Sequence, residues 1–157
     1  MNYLPFLIKV GQTGAYTDNM VYEEPFDTKE AFGLWVKHVP FSTYPQVKSP
    51  VMQSWADEDG DDVYLPTSGI KCEAFDFPVD FVYYWNDGMA NVRIAQFIER
   101  IKGKWLKVYD TYTKLCYKGV YVTEFDSDPQ FRRRGMHDEV ILRVTFKVNF
   151  PTFNETF

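Results

Sequence analysis

Residues 138–150, DEVILRVTFKVNF, place an apolar side chain at every second position: Val140, Leu142, Val144, Phe146, Val148 and Phe150. The interleaved set, Glu139, Ile141, Arg143, Thr145, Lys147 and Asn149, is polar apart from Ile141. A period of two puts the first set on one face of a β-strand and the second on the other, so one side suits a core and the other suits water. At about 3.4 Å per residue the strand would run roughly 40 Å, about twice the common length. A chain that commits so much to one amphipathic strand needs a sheet large enough to pair it and a core deep enough to cover one face.

The 157 residues suit one domain, in which about two thirds of the unfolded surface is buried. We expect a single domain over 1–157: a strand- and loop-rich segment at 1–54, a core at 55–151 and a short tail at 152–157. Aromatic residues make up 18%, with 11 Tyr and 14 Phe, and favour strands, where such side chains pack well. The formal charge of −5 argues against attraction to nucleic acid or anionic lipid. It is compatible with an acidic wall past which DNA slides. No run of about 18 apolar residues is present, so no membrane insertion is expected. The start, MNYLPFLIKVGQTG, lacks the basic region of a secretion signal. Cys72 and Cys116 are expected as two reduced thiols.

Along the chain, YLPFLIKV is a short strand whose start Pro5 places at an edge. In DTKEAFGLWVKHV, Asp27 with Glu30 three residues on forms a capping box, which predicts a short N-terminal helix limited by Gly33 and Pro40. Residues 40–50 are proline-rich and extended. Asp59-Gly60 signals a hairpin turn. The next strand carries Phe75, Phe77, Val79, Phe81 and Tyr83 on one face, while Pro78 on the other calls for an edge or a bulge.

The strongest helix covers about residues 88–102, where Ala90, Ile94, Phe97, Ile98 and Ile101 form an apolar stripe. Asn86 or Asp87 is its expected cap, and Gly103 its left-handed stop. KWLKVYD and LCYKGVYVTEF are strands joined by TYTK, and DSDPQFRRRGMH is a polar loop before the final strand. The fold class is therefore α+β and mainly β: an antiparallel β-sandwich or open barrel with one flanking helix.

Chemical signatures are sparse. His38 and His137 lie far apart in sequence and have no partners at metal-ligand spacing, so neither a metal nor a catalytic role is expected. DEDGDD fails the calcium-loop pattern, because placing Gly60 sixth puts Pro66 twelfth where a glutamate belongs. Asp57, Glu58, Asp59, Asp61 and Asp62 instead make a negative patch at a solvated hairpin tip. Arg132, Arg133 and Arg134 form a basic cluster suited to a solvated loop or to salt bridges with a neighbouring subunit. No nucleophile elbow, phosphate loop or dinucleotide fingerprint is present, so we expect no enzyme and no cofactor.

From the acidic hairpin through EAFDFPVDFVYYW, the helix NVRIAQFIERIKG, the hairpin KWLKVYD…LCYKGVYVTEF and the final strand ending KVNFP, the chain resembles a viral building block. It is similar to the N-terminal ring-forming domain of tailed-phage distal tail proteins and to the related tail-tube fold. The features that carry the likeness fall on Trp105–Val108, Tyr117–Gly119 and Val140–Pro151, within about 100 residues. Residues 1–50 have no counterpart in it. The second, carbohydrate-binding-like domain of many distal tail proteins also has no counterpart in these residues.

The resemblance implies a virion structural protein that assembles with itself as a ring, a hexamer by analogy, around a DNA channel. It further implies contacts with other tail or baseplate proteins, transient proximity to DNA, and host cytoplasm as the place of assembly. The long strand would span the ring wall. Candidate inter-subunit or lumen-facing residues are then Asp57, Glu58, Asp59, Asp61, Asp62, Arg132, Arg133, Arg134, Arg143 and Lys147. The alternative from the residues themselves is a small carbohydrate-binding sandwich that stacks sugars on Tyr83, Tyr84 and Trp85.

Overall fold

The long C-terminal strand is the spine of an antiparallel sheet. A computed structural model describes residues 4–38, 46–67, 69, 71–126, 130–135, 137–151 and 155–157. The strands are β1 (Phe6–Val10), β2 (Phe26–Asp27), β3 (Leu34–His38), β4 (Val51–Ser54), β5 (Asp61–Tyr64), β6 (Phe75–Tyr83), β7 (Leu106–Asp110), β8 (Cys116–Phe125), β9 (Gln130–Arg134) and β10 (His137–Val148). The helices are α1 (Thr28–Phe32) and α2 (Ala90–Ile101).

The order across the main sheet is β2-β1-β7-β8-β10-β6-β3, with β9 also paired to β10. One edge of β10 pairs with β6 from Val140 to Val148. Its other edge is shared: β9 takes His137 to Ile141 and β8 takes Val144 to Val148. The length of the strand is thus used inside the chain, because two successive strands must hydrogen-bond to the same edge.

Of the two architectures left open by the sequence, the structure is the open barrel. The sheet curls until the Val36 amide donates to the Leu4 carbonyl at 3.1 Å, a lone bridge between β3 and the residues preceding β1. The apolar face turns inward. Phe6 of β1 meets Phe81 of β6 edge-on at 5.8 Å, and Phe77 of β6 stacks on Phe146 of β10 at 5.4 Å. Helix α2 buries Ala90, Ile94, Phe97 and Ile101, the stripe its spacing predicts. Phe97 packs between Phe81 at 5.4 Å and Phe32 of α1 at 5.5 Å, so the helix closes the core from the side.

Three local expectations change. Residues 34–38 form strand β3 and not the end of a helix, because Gly33 adopts φ +67° and stops α1 after Phe32. Asp27 does cap that helix, accepting from the Lys29 amide at 2.8 Å. The segment 130–134 is strand β9, not loop; all its residues are exposed, so it carries no burial pattern and pairs through its backbone. Helix α2 is capped neither by Asn86 nor by Asp87. The Ala90 amide donates to Asp138 of β10 at 3.2 Å, and Asp87 accepts one residue earlier, from Met89.

Pro78 sits in an interior strand, but β3 pairs no further along β6 than Asp80. Among the described residues no strand therefore faces Pro78 on that side, and its missing amide hydrogen costs no ladder bond there.

Candidate functional site

Between the neighbouring strands β3 and β6 the chain makes an excursion, built as a two-stranded arm. Its stem is tied by the Lys48 amide to the Lys71 carbonyl at 2.9 Å and by the Glu73 amide to the Gln46 carbonyl at 2.7 Å. Its outer part is β4 paired with β5, Val51 opposite Tyr64 and Ser54 opposite Asp61. Every residue of both strands is exposed.

The alternation within the arm leads to two wet faces, each bearing apolar side chains: Val51 and Tyr64 on one, Met52, Val63 and Leu65 on the other. Val51 is 74% exposed and Leu65 is 63% exposed. An isolated hairpin is marginal in water, and this one leaves its apolar groups uncovered on both sides.

The arm's tip holds the predicted acidic patch. Asp57, Glu58, Asp59, Asp61 and Asp62 are all exposed. Asp62 accepts a hydrogen bond from Trp55 Nε1 at 3.0 Å, and none of the five makes an ion pair among the described residues. These five carboxylates equal the whole formal excess of −5, so the rest of the chain is balanced and the acidity is local to the arm.

The basic cluster divides by function. Arg133 holds Asp138 with Nε at 2.6 Å and Nη2 at 3.2 Å, and its Nη2 also donates to the Gly88 carbonyl at 3.1 Å. Asp138 is fully buried. The Arg133 guanidinium, then the helix amide of Ala90, hold its carboxyl below the usual carboxylate range against the opposing effect of burial. Beside it, Tyr83 donates to Asp87, which also pairs with Arg93 at 3.6 Å. Burial and the Asp87 carboxylate push the Tyr83 hydroxyl up, and the same hydrogen bond holds Asp87 down. These groups fasten the start of α2 to the sheet, with Arg93 Nε left as a buried donor in ion-pair contact only.

Arg132 and Arg134 are different. They lie on the outer face of β9, across from Glu139 and His137, exposed and without an ion pair among the described residues. Arg143 is held within its own chain by Asp80, at 2.8 Å and 3.3 Å. Lys147 is half-buried on the same outer face. Next to Arg132 lies a hollow of about 490 Å³ lined by Val82, Tyr84, Phe131 and Ile141. Tyr84 is 55% exposed there and Phe131 45% exposed.

The aromatic trio does not form a platform. Tyr83 is in the core, Trp85 packs over the Gly33 backbone and beneath Arg93, and Tyr84 alone is exposed. His137 touches Asn86, Tyr84 and Glu139, while the side chain of His38 lies outside the described residues. Cys116 is buried and Cys72 half-buried, both free. Burial pushes the Cys116 thiol up to about 11. Among the described residues, no group of three His, Cys, Asp or Glu is placed to hold a metal. No described helix is long and apolar enough to cross a membrane.

Sequence reasoning located both charged clusters but missed the exposed apolar sides of the arm and the hollow beside β9. The first had a signal, in that Val51, Met52, Val63, Tyr64 and Leu65 flank the acidic turn. The fold and these surfaces define a mainly-β protein with exposed apolar and charged patches. No known protein-family model and no curated protein sequence matches this chain.

Proposed function

We propose that the chain is a structural subunit of a bacteriophage tail that assembles with copies of itself into a ring or tube around a DNA channel. The observation that carries this reading is the sheet: an open, curled antiparallel sheet with a long central strand and a helix against its inner face. Its elements follow the order that the resemblance to distal tail and tail-tube proteins implies. A curled sheet with one face filled by core and the other lined by charged groups such as Arg143, Asp80 and Lys147 suits the wall of a channel. DNA would pass it without sticking, because the basic groups there are offset by carboxylates. In this reading the other partners are neighbouring tail or baseplate proteins, and the mature location is the virion.

Negative-stain microscopy of the purified chain, with its mass by light scattering, tests the proposal. Rings or stacked tubes with a central hole are the expected result. A particle that remains at 18.5 kDa at every concentration, alone and mixed with tail partners, overturns it.

A further inference from the structure

We propose that the arm β4–β5 of one copy docks into the hollow beside β9 of a second copy, its acidic tip against Arg132 and Arg134. This deepens the ring reading and rests on it. Two unbalanced surfaces occur on one chain. The arm carries five carboxylates with no cation paired to them among the described residues. Strand β9 carries two outward arginines, Arg132 opposite Glu139 and Arg134 opposite His137, neither of which makes an ion pair among the described residues. Opposite charges on the same molecule that do not meet within it are complementary between copies.

The apolar parts match as well. Trp55 and Tyr64 are exposed near the carboxylates, and Val82, Tyr84 and Ile141 line the hollow next to Arg132. Aromatic and aliphatic groups ringed by charge are the usual make-up of an interface core and rim. Docking also supplies what the isolated hairpin lacks, a surface to cover one of its faces. The arm and the hollow are different surfaces, so the contact is head-to-tail, the kind that builds a ring when its rotation closes.

Charge reversal tests this in the full-length chain. Asp57→Lys, Glu58→Lys, Asp59→Lys and Asp61→Lys together leave one carboxylate, Asp62, against four lysines and so reverse the tip, and Arg132→Glu with Arg134→Glu reverses the strand. Arg133 is left intact because it anchors buried Asp138. All six changed side chains are exposed, and circular dichroism checks that each variant keeps the fold. Self-association is read by sedimentation velocity at low salt.

Each reversed chain alone is expected to associate at least about tenfold more weakly than the parent, because attraction becomes repulsion at the contact. An equal mixture of the two reversed chains, and a chain carrying both reversals, should regain the parent's association. If the parent assembles and the reversed chains assemble equally well, the docking is wrong while the ring reading stands. If the parent is a monomer throughout, both fail.

Discussion

Replacing Phe146 by alanine tests whether β10 is the spine of the fold. Phe146 is fully buried near the middle of the strand, stacked on Phe77 at 5.4 Å and leaning on Phe6 at 6.5 Å. Truncation removes the ring from three strands at once, β10, β6 and β1, and leaves a cavity that a sheet paired on both edges cannot collapse to fill. Such a change costs about 3–5 kcal/mol. Against a typical total of about 5–15 kcal/mol this is a large share of the stability. For a chain of this size it corresponds to a fall in Tm of roughly 6–20 °C.

The assay is urea unfolding followed by far-ultraviolet circular dichroism at a dilution where the parent is unassembled. The midpoint should fall while the slope stays the same, since the surface exposed on unfolding hardly changes. Thr145→Ala, one residue away on the outer face, is the control and should stay within about 0.5 kcal/mol of the parent. A loss below about 1 kcal/mol for Phe146→Ala would refute the reasoning, because no fully buried ring in a packed core is that dispensable.

Two further outcomes test local features. Gly33→Ala should destabilise more than Gly103→Ala, although both glycines adopt positive φ, +67° and +66°. The left-handed conformation costs each alanine about 1–2 kcal/mol. At Gly33 the new methyl would also lie 2.6 Å from the Trp85 ring, whereas nothing lies within 4 Å at Gly103, so equal costs by chemical denaturation would sink the argument. The Asp138 carboxyl, held low by Arg133, gives the folded state stability that is fully present above its unfolded pKa, about 4, and lost as pH falls toward the lower folded value. Asp138→Asn should therefore flatten the acid limb of the stability–pH curve, and an unchanged limb would show that the pair does not contribute there.

Local pattern was enough wherever one face of an element is buried. The two-residue period of 138–150 and 75–83 and the three-to-four-residue period of 90–101 each follow from which side chains the core excludes from water, and β10, β6 and α2 appear where those periods lie. Charge clustering at 57–62 and 132–134 was equally plain, because it needs no partner to be seen. Where no face is buried the pattern is silent. Strand β9 is exposed throughout and is made by its backbone pairing with β10.

The cap of α2 is likewise invisible locally, because its acceptor, Asp138, lies 48 residues away. Only the tertiary structure separated Arg133, which anchors a buried carboxylate, from Arg132 and Arg134, which face outward. It alone showed that the long strand owes its length to two partners on one edge. The sequence by itself determined β6, β10 and α2 and which of their faces turn inward, since these depend on side chains a few residues apart. The curl of the sheet, the division of the arginines and the isolation of the arm were decided by the tertiary structure, because each depends on backbone and charge brought together from distant parts of the chain.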